Sequence, residues 1–404
     1  MARSSLSLTT LLPLALMMTL PGMAFAATPS QSFGTWSADV RLRSEQVSQA
    51  GLPEDASALT VRTYLGWQSP RAGGWGLFVQ GVNTSVLNDS YNNTLNGKTR
   101  YPTVVDPDTT DLHQLHVSYA GAAHSLQIGR ARKVYDNARF LGDNGFRQQS
   151  QTFDGLWGQS KVAQAEVTYG YLTGVNRVFG KDSPQGQWDL ATPFVGVKLP
   201  LTKALTAHGF ILAYDNQDVA SQSSLTTALG LSGQWSVDKD TKLTARVDWA
   251  RQSDHADNPA RFDLDFTALD VGFQHQQTQI SMLLEKHESN GVQAFQTPLG
   301  TRRVTLGWTD AMLTTPAQGL INQKLSVRQG LTVKGLPGSL SAFAAVQQFS
   351  PERGQGRYGR EVALGLTHKL NAHWSWDVAW ADIDSKSASL PSRDKLWVFV
   401  TYSR

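Results

Sequence analysis

The chain has 404 residues, 40% hydrophobic and only 17% charged, with 35 Gly and 12 Trp. That mixture excludes a disordered chain, which needs low hydrophobicity and high net charge. The near balance of 36 Lys+Arg against 33 Asp+Glu, net +3, argues against a nucleic-acid binder, and zero Cys excludes disulfides, zinc thiolates and thiol catalysis.

Residues 1–26 read as a secretory signal. Arg3 supplies the positive start, Leu11-Leu-Pro-Leu-Ala-Leu-Met-Met-Thr-Leu20 the apolar run, and Ala24-Phe25-Ala26 the small-x-small cleavage site. The run is too short for a spanning helix and Pro13 interrupts it. The mature chain is expected to start at Ala27, and residues 27–404 to form a single domain.

Period-two alternation, the signature of strands, recurs from there to the end. Examples are Leu59-Thr-Val61-Arg-Thr63-Tyr-Leu65-Gly-Trp67, Leu243-Thr-Ala245-Arg-Val247-Asp-Trp249 and Trp374-Ser-Trp376-Asp-Val378-Ala-Trp380. In chain order, strands are predicted near 34–47, 57–70, 74–84, 111–120, 123–131, 152–160, 162–172, 191–200, 203–214, 225–237, 240–252, 262–276, 278–288, 322–334, 339–349, 359–370, 373–384 and 394–403. Tight connections fall at Pro70–Gly74, Gly121–Ala123, Ser160-Lys161, Leu201-Thr202, Asp238-Lys239, Gln276-Gln277, Gly335–Gly338 and Asn371-Ala372. Long polar connections fall at 48–56, 85–110, 132–151, 173–190, 215–224, 253–261, 289–321, 350–358 and 385–393.

Short and long connections alternate, as in outer-membrane barrels with short periplasmic turns and long external loops. The fold class expected is therefore all-β: a single transmembrane up-and-down β-barrel of 18 antiparallel strands. Arg303-Val-Thr-Leu-Gly-Trp308 also looks like a strand. A nineteenth stave would leave the C-terminus on the wrong side, so the segment is assigned to loop 289–321. Closure satisfies every backbone group in lipid, and strands of this length suit a tilted crossing of a layer roughly 30 Å thick. Trp67, Trp75, Trp235, Trp249, Trp380 and Tyr402 would form interfacial girdles. A soluble sandwich would not show this alternation of connections.

The stretch Leu126-Gln-Ile-Gly129-Arg130-Ala-Arg132-Lys-Val-Tyr-Asp136-Asn137-Ala-Arg139-Phe140, with Phe146-Arg147-Gln148 and Gln151-Thr152-Phe153-Asp154, resembles the alginate-export family of outer-membrane porins. Tyr101-Pro-Thr, Gly174-Val-Asn176-Arg177-Val-Phe-Gly180, Gln296-Thr-Pro-Leu, Gly307-Trp308-Thr-Asp310, Leu313-Thr-Thr-Pro-Ala-Gln-Gly319-Leu and Asp394-Lys-Leu-Trp extend the resemblance over nearly the whole mature chain. It implies an eighteen-stranded barrel with an arginine-lined constriction passing an anionic polyuronate. The last strand departs from the usual pattern, ending Val400-Thr-Tyr402-Ser-Arg404 where such barrels place an aromatic residue.

With apolar positions facing lipid, Arg41, Arg43, Arg62, Arg246 and Arg328 fall on the lumen face. A charge on the lipid face near mid-bilayer would cost about 2–4 kcal/mol. Such residues focus anions in a narrow wet path. Asp39, Glu166, Asp248, Glu285 and Asp377 share the lumen face, and paired lumen charges can equally be wall-stiffening ladders. Around the loop 132–151, Arg130, Arg132, Arg139 and Arg147 are constriction candidates able to meet carboxylates with two donors each. Lys133, Asp136 and Asp143 add to its charge, and an ordinary solvated loop is the plainer alternative.

Other motifs carry less. Gly354-Gln-Gly356-Arg-Tyr-Gly359 spells the dinucleotide signature but lies between strands, without the strand–turn–helix context it needs. Asp106-Pro-Asp108-Thr-Thr-Asp111 and Asp254-His-Ala-Asp257 lack calcium-loop spacing and read as turns. No H-E-x-x-H or G-x-S-x-G occurs. The reading is thus a passive channel of the bacterial outer membrane for anionic carbohydrate or small anionic solutes. No enzyme activity, cofactor, metal or nucleic acid is expected. Its partners would be lipids and lipopolysaccharide, the solute, and the barrel-assembly machinery. Alternatives are a general diffusion porin, a plugged structural or adhesive barrel, and, last, a surface hydrolase.

Overall fold

The computed structural model describes residues 33–387 and 390–404; the expected signal segment 1–26 lies outside the described residues. Among the described residues there are eighteen strands. They are β1 (Thr35–Gln49), β2 (Ala56–Gln68), β3 (Trp75–Ser90), β4 (Thr109–Ala120), β5 (His124–Ala131), β6 (Thr152–Val162), β7 (Ala165–Asn176), β8 (Gln187–Pro200) and β9 (Leu205–Tyr214). The second half comprises β10 (Ser224–Ser236), β11 (Thr241–Asp254), β12 (Asp263–His275), β13 (Thr278–His287), β14 (Leu320–Leu331), β15 (Ser339–Ser350), β16 (Gly359–Lys369), β17 (Trp374–Ser385) and β18 (Arg393–Ser403). Each pairs antiparallel with the next, and β18 returns to β1 from Asp39↔Ser403 to Gln49↔Arg393, so the sheet closes into a barrel. Closure removes the unpaired edge that lipid could not satisfy.

The distribution of burial is inverted relative to a water-soluble protein. Leu65, Val195, Ile211, Leu229, Val247 and Leu364 stand exposed on the outer wall. Arg43, Glu45, Arg62, Thr192, Asn322 and Lys395 are buried inside. This is the arrangement a hydrocarbon surround stabilises. Trp36, Trp75, Trp235 and Trp374 are exposed at the short-turn ends of their strands. Trp75 packs on Tyr119 and Trp374 on Tyr402, forming one aromatic belt. The Trp380 indole, farther toward the other end, donates to Asp394 at 2.7 Å.

The expected connections are found with local corrections. The β6–β7 turn is Ala163-Gln164, not Ser160-Lys161: Val162 pairs with Ala165, and Ala163 takes φ 52°. A two-residue hairpin demands positive φ, and no Gly or Asn marks it in the sequence. β3 runs to Ser90 and β8 begins at Gln187, both longer than expected, and β14 lies two or three residues earlier. Connection 332–338 on the short-turn side is longer than 50–55 on the loop side, so side alternates where length does not. Arg303-Val-Thr-Leu306 is a single helical turn, α1, within the loop between β13 and β14, so this segment is no stave.

Register shifts concentrate in β2–β8, at Leu59/Thr60, Gln80/Gly81, Asp154/Gly155 and Leu172/Gly174. Each bulge breaks simple alternation. Leu172 and Val175 are both buried although three apart. Gly129 and Gly155 face one another at such a place. A Cβ on Gly155 (φ 142°) would lie 2.1 Å from the Tyr171 carbonyl oxygen, and one on Gly129 (φ 118°) 2.3 Å from that of Leu115.

A candidate solute path crossed by three loops

The inner wall begins at β1 and β2. Glu45 and Arg43 form an ion pair two residues apart on one strand face, and Arg62 pairs with Asp39 across the β1–β2 interface. The Arg62 guanidinium lies 4.2 Å from the centre of the Tyr64 ring.

Loop 132–151 leaves β5 and crosses the barrel interior. Asp136 binds Arg246 of β11, and also Lys198 of β8 at 3.2 Å. Arg139 reaches Asp248 of β11 at 3.1 Å and Glu285 of β13 at 2.7 Å. Phe140 packs edge-on to Phe210 and Phe266 of the wall. On the opposite side, Phe146 packs edge-on to Trp397 and Phe399 of β18. The Gln148 amide donates to the Thr60 hydroxyl at 2.9 Å. Ser150 contacts Tyr64 and sits 3.0 Å from His113 Nε2.

Loop 288–319 folds inward against it. Gly142 N donates to Leu299 O at 3.0 Å, and Thr301 N to Ala138 O at 2.9 Å. Its far end is clamped by Glu361 of β16, which accepts from Trp308 N at 2.6 Å and Thr309 N at 2.9 Å. Loop 91–108 supplies Asp106, which meets Arg43 at 2.6 Å and accepts from Gln148 N at 2.9 Å.

The three loops and the β1–β18 seam meet in one buried charge cluster. Asp310 is held by Arg147 at 2.6 Å and Lys395 at 2.7 Å. Lys395 also reaches Glu45 at 2.6 Å, and Arg147 reaches Glu45 at 3.4 Å. Arg303 of α1 lies 3.5 Å from Asp310, with its guanidinium 3.3 Å from the Phe146 ring centre and 4.3 Å from that of Trp397. Burial alone would raise the Asp310 carboxyl, but Lys395, Arg147 and Arg303 hold it well below the usual carboxylate range. Asp106 behaves oppositely: burial pushes it up, and Arg43 and Arg147 only partly compensate. Burial also lowers Arg303 to about 10.

The residues singled out from the sequence are thus placed as follows. Arg43, Arg62 and Arg246 sit on the inner wall but are engaged with carboxylates, Arg246 with Asp248 at 2.7 Å besides Asp136. Arg41 donates to the carbonyls of Gly145 and Phe146 at 3.1 and 3.4 Å, with no ion pair among the described residues. Arg328 faces inward near the short-turn end, exposed, and donates to Ser341 Oγ at 3.3 Å. Glu166 faces inward opposite Lys198 in the β7–β8 register. Asp248 also meets His208 Nε2 at 2.7 Å. Arg139 and Arg147 lie in the inward loop, and Arg132 at its base pairs with Asp143, Nε to oxygen 2.8 Å.

Arg130 is a correction. It lies in β5 rather than in the loop, in register with Leu115 and Asp154. Residues directly opposite in a ladder share a face, and Leu115 is exposed on the outer wall. Arg130 therefore faces outward, paired with Asp154 at 2.8 and 3.1 Å, and does not line the lumen. Glu45, Asp106, Arg303, Asp310, Glu361 and Lys395 were missed as site residues. Inward parity marks Glu45 and Lys395, but nothing in the sequence shows that loop charges land beside them.

The fold matches that of several solved structures. The crystal structure of Pseudomonas aeruginosa OpdL superposes with TM-score 0.72 at 16% identity, covering 92% of this chain and 98% of that one. That of P. aeruginosa OpdK with vanillate gives 0.72 at 14% identity, covering 91% and 98%. Acinetobacter baumannii OccAB2 gives 0.71 at 14%, covering 93% and 99%. At such identities these likenesses establish the fold. No curated protein matches the chain. Residues 34–279, more than half of the chain, match the model for alginate export, and the protein is an integral outer-membrane barrel belonging to that family.

Proposed function

We propose that this barrel is a passive channel for carboxylate-bearing solutes, anionic carbohydrate foremost, formed from residues 27–404 after removal of 1–26. The observation that carries it is the set of inward wall arginines outside any carboxylate ion pair among the described residues: Arg41, Arg328 and Arg393, the last donating to Gln49 and the Thr309 carbonyl. The remaining wall arginines are offset by neighbouring carboxylates, so net selectivity falls to these three and to the positive excess of the buried cluster. Rings of one sign in a narrow wet path set ion preference. Lipopolysaccharide and the assembly machinery would be its membrane partners, and no catalytic step is assigned to it.

The test is the reversal potential of refolded protein in a planar bilayer under a salt gradient. Anion preference that falls in Arg41→Gln plus Arg328→Gln is expected; a cation-selective or neutral wild-type pore sinks the reading. A second reading, a barrel closed by its own loops, is favoured by the Glu45–Asp310–Arg147–Lys395 lock. Its mark is negligible conductance from a correctly folded barrel.

A further inference from the structure

The outer wall over β14–β18 is not evenly filled. An open apolar groove of about 510 Å³ runs along it, bordered by Val327 of β14, Leu364 and Leu366 of β16 and Trp380 of β17, with Ala342 and Ala344 of β15 as its floor. The ladder explains the shape. Val327, Ala344, Leu364 and Trp380 are successive register partners, so they share the outward face. Ala344 is the short side chain of that row, and its larger neighbours on both sides leave β15 recessed between them. One outward position nearer the loops, Leu325, Val346 and Val362 form the next row.

The row after that changes character. Gln323, Gln348 and Arg360 are register partners on the same outward face. Arg360 is exposed and enters no ion pair among the described residues; its partner across the β16–β17 ladder, Asp384, is engaged by Lys386 at 2.8 Å. Arg130 and Arg251, also outward, are neutralised where they stand by Asp154 and Asp263. The polar row lies loopward of Trp380, whose indole is fixed by Asp394, and the loop side is the external side of such barrels. The groove thus has an apolar body and, at its external end, a cation beside two amides.

We propose that this groove is a binding site for the lipid A portion of lipopolysaccharide. One acyl chain lies along Ala342 and Ala344. A lipid A phosphate accepts from the Arg360 guanidinium, and the amides of Gln348 and Gln323 exchange hydrogen bonds with the sugar. Within hydrocarbon there is no water to exclude, so association depends on van der Waals contact. A recess touching a chain on three sides holds it better than a flat wall, and the charged contact selects the headgroup. The proposal rests on the lipopolysaccharide partnership stated above and gives it a place on the wall, independent of the pore.

The experiment is native mass spectrometry of the refolded barrel in micelles, titrated with bisphosphorylated lipid A. Fully dephosphorylated lipid A and phosphatidylglycerol are the comparators, and heat-modifiable mobility confirms that each variant is folded. Binding of bisphosphorylated lipid A weakened about tenfold in Arg360→Gln, as expected for loss of a charge-assisted contact, supports the site. It should be partly retained in Arg360→Lys and unchanged in Arg251→Gln, whose side chain pairs with Asp263 elsewhere on the outer wall. Ala344→Phe, an apolar change on a lipid-facing position, fills the groove and should weaken phosphorylated and dephosphorylated lipid A alike, whereas Arg360→Gln should affect only the phosphorylated form. Lipid A bound equally by wild type and by either variant overturns the site while leaving the partnership standing. No bound lipid A overturns both. Phosphatidylglycerol held as tightly as lipid A overturns the lipid A assignment in favour of an ordinary phospholipid. The channel reading is decided separately, by conductance.

Discussion

Asp310 shows how one loop residue decides whether the interior is ordered. It accepts from Arg147 and Lys395 and faces Arg303, all buried. Removing one partner of a buried charge set leaves the others uncompensated, which costs about 3–5 kcal/mol. Asp310→Ala should therefore lower unfolding free energy by that order in micelles and make loop 288–319 protease-sensitive. Arg132, paired with Asp143 at the loop base with 44% of its side chain exposed, offers the contrast. Exposed pairs contribute about 0–1 kcal/mol, so Arg132→Ala should change stability by less than about 1 kcal/mol. Equal losses in both variants would contradict the assignment of Asp310 to the lock. The sequence shows Asp310 beside Trp308 in a family-like motif; its partner Lys395 is 85 residues away.

At the scale of elements, the wall is nearly regular from β9 to β18 and bulged from β2 to β8. One of them, at Asp154/Gly155, lies in β6, the strand that loop 132–151 enters; bulges increase local twist and re-aim side chains. Gly155 is the critical backbone position, because positive φ and the Tyr171 carbonyl at 2.1 Å together exclude a side chain. Gly155→Val should break the β6–β7 pairing locally, seen as lost amide-exchange protection of both strands with β11–β12 unaffected. Full protection in the variant would show that the bulge tolerates a Cβ. Strand existence was legible for all eighteen elements because alternation is a local property. The Ala163-Gln164 turn was not, since it needs an unmarked positive φ, whereas the outward face of Arg130 was there to be read from its alternation with Leu126 and Ile128.

For the molecule as a whole, lipid outside and polar loops inside replace the usual core. Leu229, 60% exposed in the middle of outer-facing β10, meets hydrocarbon. Gln274 on β12 faces the lumen, in register with Lys242 and Gln279. Leu229→Arg should cost about 2–4 kcal/mol in the folding equilibrium in bilayers, the price of a mid-bilayer cation. Gln274→Arg should be nearly neutral for stability and shift only ion selectivity. A comparable penalty at both sites would be incompatible with a water-filled lower lumen.

By itself, the amino-acid sequence determined the class, the strand count and which face of most strands meets lipid. All three follow from period-two hydrophobicity and from closing a barrel with alternating connections. The Leu243–Trp249 and Trp374–Trp380 runs carry that information without reference to any distant residue. The tertiary structure alone decided that loops 91–108, 132–151 and 288–319 fold inward, that Arg43, Arg62 and Arg246 are consumed by ion pairs, and that Arg328 stands open at the short-turn mouth. Those outcomes depend on which charges meet across the lumen. Such meetings join residues as far apart as Glu45 and Lys395, whose attraction becomes strong only after closure of the barrel has withdrawn them from water.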